Sequence, residues 1–589
     1  MKGVHNLDYL LKGLSLRGTV SYESNFSKTM STTPNIPGYL VMRSDANPSQ
    51  LLFFGGQESN ETILEKSFYK DYKFYVEGGI EFNRRFGKHS ITALGLVTAE
   101  RKTMPNLLYN LPEGTYGLVG RTTYGYDDRY LAEFNMGYNG SENFAPDKRF
   151  GFFPAVSLGW VLTNEPFFPK NDFVTWIKFR TSYGQTGNSN IGGKRFIYLP
   201  GSWGSYATYS LPFQGYNFGY TDGTYSSPQY AGKYEQSVGN PDVTWEKKES
   251  ANIAVDINFF KDKLSVTADF FEENRNNILT TLATIPGIIG IDSDVLPPEN
   301  VGSMVNKGYE ISATWKNQVK DFFYQIGGQV SYARNKITYK AEPPYPYSWM
   351  NDTGFSYGQY KGYQNAGFYN SAQEASNHPF NTSGGNSAQA GDLRIIDING
   401  DGIINEKDMI PSQYSNVPRY TVSANFLFSY KGFEISALFS GSAQGTFSMN
   451  GYMINPFTTG VGNTMQYIYD ERWTPDRYAS GQEINYPRVS TNMLNGTQDG
   501  INNSFWLRST DHVKLKNVEI SYTFSKGSWI RNANIGSLKI YANASNLLTF
   551  KKKELIDGID PELIQDSFTS AGAIYPITKV VNFGFKVQF

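Results

Sequence analysis

The sequence contains no cysteine, which excludes disulfide bonds and thiolate metal sites. It has only 4 histidines in 589 residues and no glycine-rich phosphate loop between a strand and a helix, which argues against an enzyme. Lys plus Arg total 53 and Asp plus Glu total 54, so the chain lacks the basic excess that nucleic-acid binding favours. No stretch approaches the roughly 18 consecutive apolar residues that a transmembrane helix needs. These absences exclude the most common enzymatic, nucleic-acid-binding and helical membrane classes.

What the sequence does have is a repeated alternation of apolar and polar residues. At the C-terminus, one face of a strand would carry Val581, Phe583, Phe585, Val587 and Phe589, with polar residues between them. Long helical periodicity is nearly absent, so the pattern predicts an all-β fold of antiparallel strands with two unlike faces. About sixteen segments alternate in this way: 12–27, 67–86, 89–103, 115–126, 129–143, 150–167, 175–187, 251–259, 264–271, 301–315, 322–338, 420–430, 433–445, 512–525, 536–549 and 579–589.

The connections between these segments alternate in length. Short ones such as "FGKH" (86–89) and "YKGF" (430–433) alternate with long ones such as 188–243, 339–419 and 446–511. In an up-and-down sheet, every second connection lies at the same end. Outer-membrane barrels have short periplasmic turns at one end and long extracellular loops at the other. The pattern therefore predicts an antiparallel up-and-down transmembrane β-barrel, whereas a soluble sandwich or propeller has no reason to keep it.

Several motifs resemble those of one family, the SusC/RagA-type TonB-dependent transporters of Bacteroidetes. They follow the family order through most of the chain: "GFFPAVSLGWVLTNEPFF" (151–168), "IKFRTSYGQTGN" (177–188), "GNPDVTWEKKESANIAVDINFFKDKLSVTADFFEENRNNIL" (239–279), "NVGSMVNKGYEI" (300–311), "LKNVEISYTF" (515–524) and "LKIYANASNLLTF" (538–550). The chain departs from the family pattern at "NGSENF" (139–144), where D-G-S-S-R-F is usual. Because of such departures, the identity of a ligand is not transferred from the family.

The resemblance implies a fold, a location and partners. Residues 1–589 would be the C-terminal part of a 22-stranded barrel, without the signal peptide, TonB-contacting segment, plug and first strands. The implied location is the outer membrane of a Gram-negative cell, in contact with its lipid. The implied activity is import of oligosaccharides, or of peptides in a minority of members. A SusD-like lipoprotein would cover the external loops, and the TonB complex would act through the plug. We expect this chain by itself to transport nothing.

Two alternatives remain open from the sequence. One is a complete sixteen-stranded passive porin, which the strand count permits. The other is a soluble β-rich glycan-binding or adhesion module that uses the same aromatic residues. A measured single-channel conductance would favour the porin, and solubility without detergent would favour the binding module.

The segment "DINGDGIINEKD" (397–408) matches a twelve-residue calcium loop inserted in a long extracellular connection. Asp397, Asn399 and Asp401 occupy positions 1, 3 and 5, and Gly402 occupies the tight turn at position 6. Oxygen ligands at alternate positions suit a hard cation such as Ca²⁺. The remaining ligands would be the Ile403 carbonyl at position 7, Asn405 at 9 through water, and Asp408 at 12. The alternative is an Asx-rich surface turn without an ion.

Aromatic residues in the long connections are candidates for stacking on sugar rings. They occur in "GSWGSYATY" (201–209), "FQGYNFGY" (213–220) and "YPYSWM" (345–350). Barrels also need aromatic girdles, and large loops use tyrosine for their own packing. No single aromatic residue is therefore assigned to substrate, and no catalytic residue is predicted.

Overall fold

The computed structural model describes residues 1–33, 39–43, 49–55, 63–104, 111–192, 195–205, 233–285, 288, 295–381, 388–449, 465–489, 503–525, 527, 535–552, 559–562 and 577–589. In these residues, one sheet contains seventeen strands, which are numbered in chain order. They are β1 (Lys2–Asn6), β2 (Leu14–Thr33), β3 (Ile63–Phe86), β4 (His89–Thr103), β5 (Glu113–Tyr126), β6 (Tyr130–Ser141), β7 (Phe150–Val161), β8 (Val174–Asn188), β9 (Glu246–Phe259), β10 (Leu264–Thr280), β11 (Glu299–Val319), β12 (Phe322–Tyr339), β13 (Tyr420–Tyr430), β14 (Phe433–Ala443), β15 (His512–Phe524), β16 (Ser537–Lys551) and β17 (Val580–Gln588).

All sixteen predicted strands are present, and β1 is an additional one. The described residues thus contain one strand more than the predicted sixteen, because β1 has only five residues and is too short to display alternation by itself. The figure of 22 strands for a whole barrel stays a prediction.

Smaller elements lie in the long connections. In the described parts of these connections, three short α-helices are α1 (Ala372–Ser376), α2 (Gln466–Glu471) and α3 (Pro475–Ala479). Two-stranded pairs join Tyr39–Arg43 with Leu51–Gly55, Ser202–Ser205 with Lys233–Ser237, Gln359–Gly362 with Ile410–Ser415, Asn365–Phe368 with Leu393–Ile395, Phe380–Asn381 with Ile403–Ile404, and Thr446–Ser448 with Leu507–Ser509. Among the described residues, no helix is long and apolar enough to cross a membrane.

Short and long connections alternate along the sheet, as the sequence predicts. Two residues join β13 to β14, whereas 340–419 join β12 to β13 and 444–511 join β14 to β15. The short turn is made by Lys431 and Gly432, whose φ angles of +46° and +92° are those of a left-handed hairpin turn. A Cβ on Gly432 would lie 2.8 Å from the carbonyl oxygen of Thr523, so glycine is required there.

The chain divides into two compact units, residues 1–124, 135–153 and 189–199, and residues 125–134, 154–188 and 200–589. In the first unit, β1 pairs with β2, β2 with β3 and β3 with β4, all antiparallel. In the second, antiparallel pairing runs without a break from residues 155–161 of β7 through every following strand to β17. Within each unit, strands that follow one another in the sequence are also neighbours in the sheet, which is up-and-down topology.

The strands have two unlike faces. On β17, Phe583 and Phe585 are 83% and 74% exposed, and Ile253 on β9 is 66% exposed. On β2, Tyr22, Phe26 and Met30 lie on one face and are likewise exposed. Large apolar side chains are therefore uncovered on alternate residues of strands that are themselves well paired. A lipid-facing surface has this character.

Candidate functional site

The opposite face of the strands carries paired charges. Arg180 on β8 donates from Nε and Nη2 to the two carboxylate oxygens of Asp256 on β9, at 2.7 and 3.1 Å. The Thr267 hydroxyl on β10 donates to the same carboxylate at 3.0 Å. Farther along, Lys539 on β16 lies 2.8 Å from Glu519 on β15. Such cross-strand pairs stabilise a hydrated surface, so this face suits contact with water and polar solutes.

A buried carboxylate fixes one of the short connections. Glu165 is 6% exposed and accepts hydrogen bonds from the Trp160 indole Nε1 and from Arg129 Nη1, both at 2.9 Å. A 3₁₀ turn at Leu162–Asn164 folds the chain back so that Glu165 reaches Trp160. Hydrogen bonds from Tyr130 and Trp160 lower the pKa of Glu165 below its ordinary value. Trp160 and Glu165, which both lie in the motif "GFFPAVSLGWVLTNEPFF" (151–168), therefore have a structural function in closing this turn.

The long connections of the second unit fold together. One core contains Leu393 from connection 340–419, together with Phe447, Met449, Ile468, Tyr486 and Trp506 from connection 444–511. Ile559, from connection 552–579, packs against the same core. Asp392 at its edge pairs with Arg488 at 2.7 Å, which ties the first two connections by charge as well. The described parts of three connections thus share one hydrophobic core.

The calcium-like loop 397–408 is held by hydrogen bonds to its own backbone. Asp397 accepts from the N–H groups of Gly400 and Gly402, both at 2.8 Å. Asp401 accepts from the N–H of Ile403 at 2.9 Å, and Asn399 from that of Asp401 at 2.9 Å. The two glycines have φ angles of +74° and +81°, which only glycine adopts readily. The predicted tight turn at Gly402 is therefore present.

Asp408, the last predicted ligand, closes this loop from inside. Its side chain is fully buried and accepts from the N–H of Ile398 at 2.9 Å, of Asn399 at 3.3 Å and of Asn405 at 2.9 Å. The Asn405 side chain in turn caps the 3₁₀ turn at Glu406–Asp408. Within the described ranges, no group of three acidic or histidine side chains is arranged to hold a metal. Calcium binding by Asp397, Asn399, Asp401, Ile403 and Asp408 stays a prediction.

The aromatic candidates have different outcomes. Residues 206–220 lie outside the described part of the chain. In the "YPYSWM" segment, Tyr347 and Trp349 stack with ring centroids 4.5 Å apart. Trp349 also donates through Nε1 to the carbonyl oxygen of Lys407 at 2.8 Å. These two side chains therefore support loop 397–408, and Tyr345 is exposed beside them.

An ion cluster that sequence reasoning missed holds the last long connection. Lys514 on β15 is fully buried and pairs with Asp560 and with Glu562, the latter at 3.1 Å. Lys516 also pairs with Glu562, and His512 Nε2 lies 3.5 Å from the same carboxylate. The partners are 46 and 48 residues from Lys514 in the sequence. The only sequence signal is a pair of lysines on one strand face, which does not reveal the distant acids.

Comparisons with known proteins agree with this architecture. The family model "TonB dependent receptor-like, beta-barrel" matches residues 3–547. "TonB-dependent receptor P3" of Formosa agariphila is 23% identical over 98% of this chain and 54% of its own length. "TonB-dependent receptor SusC" of Bacteroides thetaiotaomicron is 24% identical over 80% of this chain and 43% of its own length. The chain thus spans about half the length of the curated relatives it matches.

Solved structures show the same fold. The structure described as the RagAB peptide transporter superposes with a TM-score of 0.70 at 20% identity, covering 98% of this chain and 60% of that one. The family match, the SusC relative and this shared fold agree with the two-faced strands. The chain therefore belongs to the TonB-dependent receptor-like β-barrel family, is of the SusC/RagA type, and is a protein of the outer membrane.

Proposed function

We propose that this chain is the C-terminal part of the barrel of an energised outer-membrane importer. The observation that carries the proposal is that the two faces of the sheet differ in chemical character. One face exposes large apolar side chains to lipid, the other bears paired charges, and the described parts of the long connections pack on a common hydrophobic core. A wall of this kind can surround a hydrated path and present a binding surface at one end of it.

The proposed cargo is an oligosaccharide, and the proposed partner is a SusD-like lipoprotein seated on the long connections. Energy would come from the TonB complex through a plug that belongs to the whole protein. The family motifs and the likeness to SusC support this assignment. The likeness to a peptide transporter supports the same mechanism with another cargo, so peptide is the alternative substrate.

Uptake in cells tests the proposal. Cells that make the whole protein should accumulate a fluorescently labelled oligosaccharide, and both deletion of its gene and inactivation of TonB should abolish accumulation. A small solute that enters through general porins serves as the control and should be unaffected. Accumulation that survives TonB inactivation would contradict an energised importer, and accumulation of labelled peptide alone would replace the cargo.

We further propose that loop 397–408 takes a calcium ion that stiffens connection 340–419. The ligands would be the side chains of Asp397, Asn399, Asp401 and Asp408 and the carbonyl of Ile403. Oxygen donors at these positions fit a hard cation. The role is structural, because the Trp349 indole donates a hydrogen bond to the loop and the Ile404 side chain of the loop is buried.

A further inference from the structure

A cavity of about 220 Å³ lies where the polar face of β9–β12 meets the base of connection 340–419. Four basic residues, Lys248, Arg275, Arg334 and Arg419, are among its lining residues, and Glu273 is the acid in the same lining. The uncharged polar residues of the lining are Asn306, Asn335, Ser356 and Ser415. The volume is below the roughly 300–1,000 Å³ of drug-sized sites, so it suits one sugar-sized group.

The positive charge in this cavity is not neutralised by its own acid. Glu273 is bonded to Lys248 Nζ at 2.6 Å and to Asn306 Nδ2 at 3.3 Å. Among the residues that the structure describes, no carboxylate lies within 4.0 Å of the Arg275 or Arg419 guanidinium. Arg419 instead stacks over the Tyr414 ring at 5.1 Å. Two guanidinium groups are therefore available to an added anion.

The register of strands β9 and β10 places two of the cavity's cations beside each other. Lys248 and Arg275 are direct partners across β9 and β10, so two cations stand side by side on the polar face. Like charges placed directly opposite each other destabilise a sheet. On this face Lys248 is bonded to Glu273, as Arg180 is to Asp256 and Lys539 is to Glu519. Arg275 stands beside Lys248 without a carboxylate of its own within 4.0 Å among the described residues, and a cation left without an acid partner on an otherwise paired face suits an anion-binding site.

A neutral donor completes the cavity. The Asn335 side-chain oxygen accepts from the N–H of Tyr357 at 2.7 Å, which leaves its amide hydrogens free to donate into the cavity. Hydroxyl and amide groups in a cavity that is also lined by guanidinium groups match the chemistry of an acidic sugar, which offers both hydroxyls and an anion. Arginine recognises carboxylate and sulfate with two parallel hydrogen bonds.

We propose that this cavity is a subsite for an acidic sugar residue, bearing a carboxylate or a sulfate ester, within the imported oligosaccharide. The inference rests on the proposed function for its context and deepens it by assigning a charge to the cargo. Arg275 and Arg419 bind the anion, and Asn335 donates to a neighbouring oxygen.

Binding to the purified full chain in detergent tests the proposal. The probes are a uronic-acid disaccharide, a sulfated disaccharide, their neutral counterpart and an acidic dipeptide, measured by isothermal titration calorimetry. We expect an acidic disaccharide to bind and the neutral one to bind at least about tenfold more weakly, because a hydrogen bond to a charged group is worth that factor or more. The two acidic disaccharides distinguish carboxylate from sulfate as the recognised group.

Variants assign the effect to the cavity. The double variant R275Q/R419Q should lose about tenfold or more in affinity for the acidic disaccharide. R394Q is the matched control, since Arg394 lies in the same connection but is paired with Glu374 at 2.9 Å, and its affinity should be unchanged. R275Q should also unfold at the same temperature as the wild type or at a higher one, because it removes a like-charge pair. A purely structural arginine would instead destabilise the chain when replaced.

Equal affinity of the double variant and the wild type, or equal affinity for acidic and neutral disaccharides, would overturn the subsite. Preference for the acidic dipeptide over both acidic sugars would overturn its assignment to a sugar. These outcomes are separable from failure of the importer itself. Cells that import a neutral oligosaccharide through TonB while no acidic probe binds would refute only the subsite. Acidic-sugar binding without any TonB-dependent uptake would refute only the importer.

Discussion

At the residue scale, Lys514 shows how one buried cation can hold a long connection. Its ammonium group is inaccessible to water and is bonded to Asp560 and Glu562. Replacing it, as in Lys514→Met, leaves both carboxylates without their buried partner. We expect a loss of about 1.5–3 kcal/mol in the free energy of unfolding, the worth of hydrogen bonds to a charged group. Denaturant unfolding and amide hydrogen exchange at residues 559–562 measure it.

Lys516→Met is the matched control for that substitution. Lys516 bonds the same Glu562 carboxylate but is partly open to water, with 27% of its side chain exposed. Exposed ion pairs are worth less than about 1 kcal/mol, so its loss should have the smaller effect. Equal effects of the two substitutions, or none from Lys514→Met, would show that the buried cluster does not hold the connection.

The same cluster predicts a dependence on pH. Burial by itself would raise the pKa of Glu562, but hydrogen bonds from Lys516 and Lys514 outweigh it and lower that pKa below its ordinary value. The folded state therefore prefers the ionised carboxylate. Its contribution is present above the ordinary pKa of about 4.3 and is lost as the pH falls through the lowered value. The protection factors at residues 559–562, which correct for the intrinsic slowing of exchange in acid, should therefore fall in that acidic range.

Glu562→Gln provides the comparison, because the amide does not titrate there. In this variant the acid-dependent part of the exchange should disappear while the remaining rate is already raised at neutral pH. An identical acid profile in the wild type and in this variant would assign the pH dependence to another group.

At the scale of elements, loop 397–408 depends on the buried Asp408 carboxylate and its three backbone donors. We expect Asp408→Ala to destabilise connection 340–419 by about 1–3 kcal/mol, because buried N–H groups lose their acceptor. Glu406→Ala, an exposed acid in the same turn, should have almost no effect. Limited proteolysis of the connection reports the difference, and cleavage at equal rates in both variants would contradict it.

The terminal strand β17 carries a prediction about lipid. Phe585 is on the exposed apolar face, whereas Asn582 bonds Asn543 on the neighbouring strand β16. We expect Phe585→Arg to cost roughly 2–4 kcal/mol if the residue is near the middle of the bilayer, and less towards its surface. Asn582→Arg should be tolerated, because its face meets water and polar groups. Unfolding of the chain refolded in lipid vesicles measures both, and equal tolerance would mean that the two faces have the same surroundings.

These elements also show which parts could be predicted from sequence. The alternation in β17 is visible because it repeats every two residues, and the Trp160–Glu165 contact spans only five positions. Strand β1 was missed because five residues do not reveal a period. The Lys514 cluster and the support of loop 397–408 by Trp349, 58 residues from Lys407, depend on long-range folding of the connections. Local patterns carry no information on such pairs.

At the scale of the whole molecule, the two-faced strands account for the composition. A wall between lipid and water has no dry interior of its own, so its apolar residues are spread over alternate positions and do not gather into long runs. Aromatic residues make up 16% of the chain, which fits the aromatic girdles of outer-membrane barrels. The true hydrophobic core of the second unit lies elsewhere, in the packed long connections.

The most direct test of this account uses the absence of cysteine, which lets a single introduced cysteine carry a fluorescent label. Labels at positions 581, 583 and 585, and at 582 and 586, are compared in lipid vesicles with a quencher in the lipid or in the water. The account predicts lipid quenching at the three odd positions and aqueous quenching at the two even ones. Quenching that does not alternate between adjacent positions would contradict it.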